Sequence, residues 1–474
     1  MTVRVGVVGG GLAGVAAALR CADAGARVTL WESRARLGGV AGSFRRGELD
    51  VDTGQHVVLR CCTSYLAFLD RLGVRDDVTL QNRLDIPVLS PGARPARLRR
   101  NGLPAPLHLG AALLRYAPLA LTDRLRVLRA ALALGRVDPT SAATDARSFA
   151  DWLAAHGQSP RAVEALWDLV GIATLNARAA DASLALAATV FQLGLLTDAA
   201  AGDVGWARVP LGRLHDDAAR AALTAAGVEV RTSAKVRSLT AGPDGWRVAV
   251  TPRHDTHTRT HTQAGPGGSG SAGEEEFVVD RIVSAVPPTV ATRLLPEGAV
   301  DLPAGWAERL GSSPIVDVHV VYDRTVLHHD FAAAVDSPVQ WVFDRTASSG
   351  TSDVHPPGAQ YVAVSMSAAD DLVGMSLAAL RELMLPALAA VLPGAASARV
   401  LDFFVTREPH ATFRAAPGQA ASRPGPVTGL PGLTLAGAWT ATGWPATMEG
   451  AVRSGEAAAA AALARPVAAA GVAA

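Results

Sequence analysis

The fold is decided by Val3-Arg4-Val5-Gly6-Val7-Val8-Gly9-Gly10-Gly11-Leu12-Ala13-Gly14, followed through to Arg27-Val28-Thr29-Leu30-Trp31-Glu32. Val3–Val8 is an apolar, valine-rich run, the pattern of a parallel strand covered on both faces. Gly9, Gly11 and Gly14 follow in the spacing GxGxxG. The small residues of Gly11–Ala24 predict a helix, and Arg27–Trp31 predicts a second strand ending at Glu32. Gly9 permits a tight turn, Gly11 lets the backbone approach a pyrophosphate, and Gly14 lets helix and strand pack closely. The first helical turn, with Leu12 and Ala13, offers free N–H groups and the positive dipole end to phosphates. Glu32 is spaced to accept hydrogen bonds from ribose hydroxyls. A lone GxGxxG is a weak signal. Strand, turn, helix, strand and acid in this order make a dinucleotide-binding unit and argue against a signal peptide.

The next residues sharpen the ligand. Glu32-Ser33-Arg34-Ala35-Arg36-Leu37-Gly38-Gly39 resembles the ExRxxxGG extension of FAD enzymes in the flavin amine oxidase and phytoene desaturase superfamily. An arginine such as Arg34 offsets pyrophosphate charge bidentately, and Gly38 and Gly39 let the chain pass close to the cofactor. Many relatives carry a basic residue directly after the paired glycines, where this chain has Val40. The resemblance implies an α/β fold: a discontinuous Rossmann-like FAD-binding domain with a mixed α+β substrate domain.

It also implies further contacts. Asp50-Val51-Asp52-Thr53-Gly54-Gln55-His56 is rich in turn formers. In the superfamily such a DxG segment lies against the flavin through the position of Gly54; a plain turn is the alternative. A residue at the position of Val236 contacts the adenine through its backbone. Near the C-terminus, Leu433–Gly437 reads as a strand ending in glycine, followed by a turn into a helix through Trp444, Thr447, Met448 and Glu449. In the superfamily that helix N-terminus points at the flavin ring, where its dipole favours negative charge on the reduced flavin. Relatives usually have Asp at Ala438.

Length and composition set the frame. With 474 residues, 49% of them hydrophobic, the chain predicts two or three domains. The net charge of +1 points away from nucleic acid. No uninterrupted apolar run reaches the roughly 18 residues of a membrane helix. Cys21, Cys61 and Cys62 show no CxxC spacing, which suits a reducing cytoplasm and gives no metal site. We divide the chain into FAD-binding parts at 1–80, 205–300 and 425–465, a helical substrate- or membrane-facing part at 81–204, a substrate-domain sheet at 301–424 and a disordered tail at 466–474. Residues 254–276, with His254, His257 and His261, read as a disordered hairpin tip rather than a metal site. Asp323-Arg324 and Asp344-Arg345 are expected to form surface ion pairs. Leu121, Leu125, Leu128 and Leu132 share one helical face, with Arg124, Arg126, Arg129 and Arg136 elsewhere. That helix is either an ordinary core-facing element or a basic amphipathic helix lying on an anionic membrane.

Five blocks narrow the resemblance: GGGLAG at 9–14, VDTGQH at 51–56, IVDVHVVYDR at 315–324, ATFRAAPGQ at 411–419 and WTATGWPATMEGAVRSG at 439–455. Together they resemble the hydroxysqualene dehydroxylase family, the squalene-associated FAD-dependent enzymes of hopanoid synthesis. The resemblance implies reductive removal of the hydroxyl of hydroxysqualene to give squalene. It implies a long apolar isoprenoid substrate, a membrane surface as partner, and a cytoplasmic protein peripheral to the inner face of the cell membrane. An electron-donor reductase and direct reduction both fit. Carotenoid-type polyene desaturation, flavin amine oxidation and a non-catalytic flavin-binding scaffold are the alternatives. Amine oxidases commonly hold a lysine near the flavin, but Lys235, the one lysine here, sits on the adenine side. They also place an aromatic residue where this chain has Thr447. The reaction needs a proton donor, because hydroxide is a poor leaving group. His56 and Glu449, both on flavin-facing motifs, are the candidates.

Overall fold

The computed structural model describes residues 2–252 and 273–464. The histidines at 254, 257 and 261, most of the expected hairpin tip and the tail from 465 lie outside them. Five parallel strands carry the dinucleotide unit, in the order Glu229–Arg231, Arg27–Trp31, Arg4–Val8, Arg281–Ser284, Leu433–Leu435. One sheet therefore draws on three distant stretches of chain. Its central strands are covered on both faces: Val5, Val7, Leu30, Ile282 and Val283 are fully buried. Helix Leu12–Asp23 lies against helix Met448–Ala464 at backbone contact distance. A Cβ on Gly455 would stand 2.1 Å from the Ala13 carbonyl oxygen, and one on Gly14 would stand 1.8 Å from the Gly9 carbonyl oxygen.

The second layer is a seven-stranded sheet in the order Val400–Thr412, Ser313–Tyr322, Gln360–Ser367, Trp341–Asp344, Phe331–Ala334, Asp85–Leu89, Ala96–Arg99. Alternation along Ser313–Tyr322 sorts its side chains onto two faces. Val316, Val318, Val320 and Tyr322 join the core under helix Leu377–Val391, which supplies Leu380, Met384 and Leu388. Val321 faces the other way and packs with Leu49 and Val51 of the hairpin Ser43–Arg46/Leu49–Asp52. Asp317 and His319 share the parity of Val321.

Several expectations need correction. The 81–204 part is not helical throughout: it opens with Asp85–Leu89 and Ala96–Arg99, which complete the substrate sheet through Ala333↔Val88. The hairpin tip does not extend to residue 276. Glu275–Val279 is a strand paired with Trp246–Val250, and Arg231 and Arg247 neutralise Glu275 and Glu276. The Asp323–Arg324 pair is at the surface as expected, but Arg345 turns away from Asp344. It is buried and bonds Asp52 at 2.6 Å, because successive strand-end residues point to opposite faces.

Helix Leu121–Leu134 presents Val127, Ala130 and Leu134 to the core, not its leucine face. Leu121, Leu125 and Leu132 are 61%, 50% and 50% exposed. Val127, Ala130 and Leu134 join the same core as Trp152 and Phe191.

Removing Arg345 strands a buried carboxylate, at a cost of about 3–5 kcal/mol. Arg345→Met is therefore expected to lower the thermal midpoint by several degrees in calorimetry. Arg324→Met, which breaks only the exposed pair, is expected to leave it unchanged.

Candidate flavin site

At the phosphate end the sequence is folded into a cradle without side chains. Gly9 has φ +108° with the Ala285 carbonyl oxygen 2.6 Å from where a Cβ would be. Gly38 and Gly39 have φ +86° and +62°, and a Cβ on Gly39 would stand 3.2 Å from the Gly11 Cα. Two glycine backbones thus face each other with their N–H groups bare of bulk, the space that a pyrophosphate requires. Leu12, Ala13 and Gly14 are buried at the helix start and offer backbone only.

Glu32 is buried. Its Oε2 accepts from the Gly10 N–H at 2.7 Å, and its Oε1 accepts from the Arg34 N–H at 2.8 Å and the Ser33 hydroxyl at 3.1 Å. A carboxylate has about four acceptor positions, so capacity for ribose remains. Ser33 and Arg34 side chains are exposed, and Val40 is exposed too.

The sequence reading passed over Arg36. Its Nη1 donates to the Gly39 carbonyl at 3.0 Å, beside that of Arg34 at 3.3 Å, and burial lowers its pKa. The signal was present as a second arginine two residues after the first. Val236 is half-buried on the strand Ala234–Gly242, paired with Val250. Lys235 beside it is exposed.

At the ring end, Thr447 caps helix Met448–Ala464 by accepting from the Gly450 N–H at 3.1 Å. Gly437, with φ +138°, donates its N–H to Ser454 at 2.8 Å. Trp444 has the Arg453 guanidinium 4.9 Å above its ring. The loop between is gripped by Arg423, which the sequence reading also missed. This buried guanidinium donates to the carbonyls of Ala438, Trp439, Thr440 and Trp444. Burial lowers its pKa to about 10, which leaves it charged at neutral pH.

The two proton-donor candidates fare differently. Glu449 is fully buried, but its carboxylate accepts from the Ser64 and Tyr65 N–H groups at 3.2 and 2.7 Å and from Arg453 at 2.6 Å. It caps helix Thr63–Leu72, and both its oxygens are taken up as acceptors. His56 is half-buried. Its Nδ1–H donates to the Gly54 carbonyl at 2.9 Å, and burial lowers its pKa, so the ring is neutral. Gly54 itself separates two groups: a Cβ on it would stand 3.5 Å from both the His56 Cε1 and the Asp317 Oδ2.

The glycine cradle, the acid and the capped helix fit FAD, and the comparisons agree. The profile of the flavin containing amine oxidoreductases matches residues 12–463, and the chain belongs to that family. It is an FAD-dependent oxidoreductase. A hydroxysqualene dehydroxylase of Rhodopseudomonas palustris is 29% identical, covering 97% of this chain and 98% of its own length. A zeta-carotene desaturase of Synechocystis is 24% identical over 98% of this chain and 97% of its own length. A redesigned putrescine oxidase shares the fold, with a TM-score of 0.69 at 18% identity over 98% of this chain and 99% of that one.

Gly39→Val places a branched side chain at φ +62° against Gly11. The variant is expected to purify without flavin absorbance while keeping wild-type helix content by circular dichroism.

Buried neutral histidines set the acid limit. His215 donates Nδ1–H to the Ala41 carbonyl and accepts from the Tyr65 hydroxyl, and burial lowers its pKa from 6.5 to about 4. The unfolded chain therefore binds the proton first as pH falls. Stability is complete above pH 6.5 and declines as pH falls toward about 4. His215→Gln is expected to flatten that decline in thermal melts.

Proposed function

We propose that this protein removes the hydroxyl of hydroxysqualene reductively and releases squalene, within hopanoid synthesis. The observation that carries the reading is the similarity to a protein named for that reaction along nearly all of both chains. The site is consistent with it. Gly9, Gly11, Gly14, Gly38 and Gly39 hold the pyrophosphate, Glu32 holds the ribose, and Arg34 with Arg36 offsets phosphate charge. The backbone of Val236 meets the adenine. Gly54, Gly437, Trp444, Thr447 and Met448 bound the ring, and the helix beginning at Met448 favours negative charge beside it. Bound FAD, once reduced, supplies the hydride. A long apolar isoprenoid is held by area burial, at roughly 25 cal/mol per Å², which also strips water from the reacting carbon.

Such a substrate is supplied from a lipid phase, and the protein carries a surface suited to one. Leu103, Leu107, Leu114, Leu121, Leu125 and Leu132 are all exposed on consecutive elements between 103 and 134. Arg115, Arg126, Arg129 and Arg136 are exposed around them. Leucines flanked by arginines match an interfacial helix on anionic lipid. No helix among the described residues is long and apolar enough to cross a membrane. We place the protein as a peripheral one at the inner face of the cell membrane, re-reduced there by a reductase partner or directly.

The similarity to a zeta-carotene desaturase favours one second reading, oxidation of a polyene. An anaerobic experiment separates the two. Reduced flavoprotein mixed with hydroxysqualene is expected to reoxidise, with squalene found by gas chromatography. Absence of reoxidation, with oxidised enzyme bleached by a polyene instead, would move the protein to the desaturases.

A further inference from the structure

Asp317 lies in the middle of strand Ser313–Tyr322, opposite Ser365 on one neighbouring strand and Thr406 on the other. Strand alternation turns it toward the Asp52–His56 segment rather than toward the helix-covered core. It is 1% exposed, and a Cβ on Gly54 would stand 3.5 Å from its Oδ2. Ser365 and the backbone of Gln55 lie close enough to its carboxyl to lower its pKa. Its Oδ1 has no partner.

That orphan oxygen sets Asp317 apart. Other deeply buried acids have both oxygens bonded: Asp52 by Ser43, Leu211 and Arg345, Asp145 by Ser183 and Ala420, Asp203 by Leu84, Arg60 and Arg100, Glu449 as described. Asp52, Asp203 and Glu449 also meet a guanidinium, whereas among the described residues no hydrogen bond or ion pair joins Asp317 to one. The adjacent Gln55 leaves a second buried polar atom, Nε2, without a partner. Leaving such a group unpaired costs about 1–3 kcal/mol, so it calls for an explanation, and a ligand or a reaction is one.

The reading above requires an acid beside the flavin segment, and we infer that the Asp317 carboxyl protonates the departing hydroxyl of an apolar allylic alcohol. This assignment rests on the dehydroxylase reading and supplies the proton donor it lacks. The allylic C–O bond breaks with its electron pair going to oxygen. The Asp317 proton joins that oxygen, and water leaves. The carbon gains a hydride from the reduced flavin cofactor, so the carbon is reduced and the cofactor oxidised. Asp317 is left as a carboxylate and takes up a proton before the next turnover.

The surroundings suit an acid that stays protonated. Its pKa is raised to about 7: burial is the largest influence, Ser365 and Gln55 lower it, and the charge of Asp52 raises it. Arg345 is held by Asp52 and does not bond Asp317. Tyr361, facing the same space, is itself pushed well up and donates to or accepts from His319 at 2.7 Å. His56 and His319 are neutral, so neither competes as the acid. His56, bonded to the Gly54 carbonyl, is a positioning residue.

The test uses FAD-loaded full-length protein and the isosteric Asp317→Asn. Infrared spectroscopy of the wild type is expected to show a protonated carboxyl that titrates near pH 7 and is missing from Asp317→Asn. With pre-reduced flavin, hydroxysqualene turnover is expected to fall about 10²–10⁴-fold in Asp317→Asn. The wild-type loss of rate above neutral pH should vanish with it, and Asp317→Glu should restore part of the rate. An allylic acetate, whose leaving group needs no proton, should react at similar rates in wild type and Asp317→Asn. An active wild type with an equally fast Asp317→Asn, or a wild type without the titrating carboxyl, overturns Asp317 alone; the second result stands even where the variant fails to fold. A wild type that shows the carboxyl but ignores hydroxysqualene overturns the dehydroxylase reading, and the assigned role with it.

Discussion

The Asp52–Arg345 ion pair is the constraint on which the rest of the site depends. One carboxylate receives the Arg345 guanidinium at 2.6 Å, the Leu211 N–H at 2.9 Å and the Ser43 hydroxyl at 2.6 Å. Arg345 also donates to the Ala207 carbonyl. The hairpin, the strand Val204–Ala207 and the substrate sheet are therefore joined at a single buried point. Desolvating two charges is expensive, and such a pair is weak evidence of net stability. Its effect here is geometric: Gly54 follows Asp52 by two residues, so the pair fixes where the Gly54 segment meets the strand that carries Asp317.

A second theme is recognition by backbone. Around the phosphate end, chain approaches chain so closely that no Cβ fits at Gly9, Gly14 or Gly455. At the ring end, the loop that lacks the usual aspartate at Ala438 is held by its own carbonyls, gathered onto Arg423. A guanidinium has five donors in a fixed fork and can organise several carbonyls at once. The loop thus keeps its shape through one buried side chain and its own backbone hydrogen bonds.

The apolar surface is divided between core and exterior. On helix Leu121–Leu134, Val127, Ala130 and Leu134 go inward, while Leu121, Leu125 and Leu132 go outward. Of the two readings the sequence left open for this helix, the core-facing one placed the leucines on the wrong side, because hydrophobicity alone does not say which of two apolar stripes meets the core.

Local pattern determined much. The valine run, the glycine spacing and the acid at Glu32 defined the dinucleotide unit, because turn, dipole and close approach are properties of neighbouring residues. What only the tertiary structure decided are the pairings across distance. Glu449 caps a helix 384 residues away at Tyr65, and Arg345 meets Asp52 across 293. Arg423 and Asp317 looked like ordinary residues of a loop and a strand. Their roles come from burial and from which face the sheet register presents, and register is set by the whole packed assembly rather than by any local stretch of sequence.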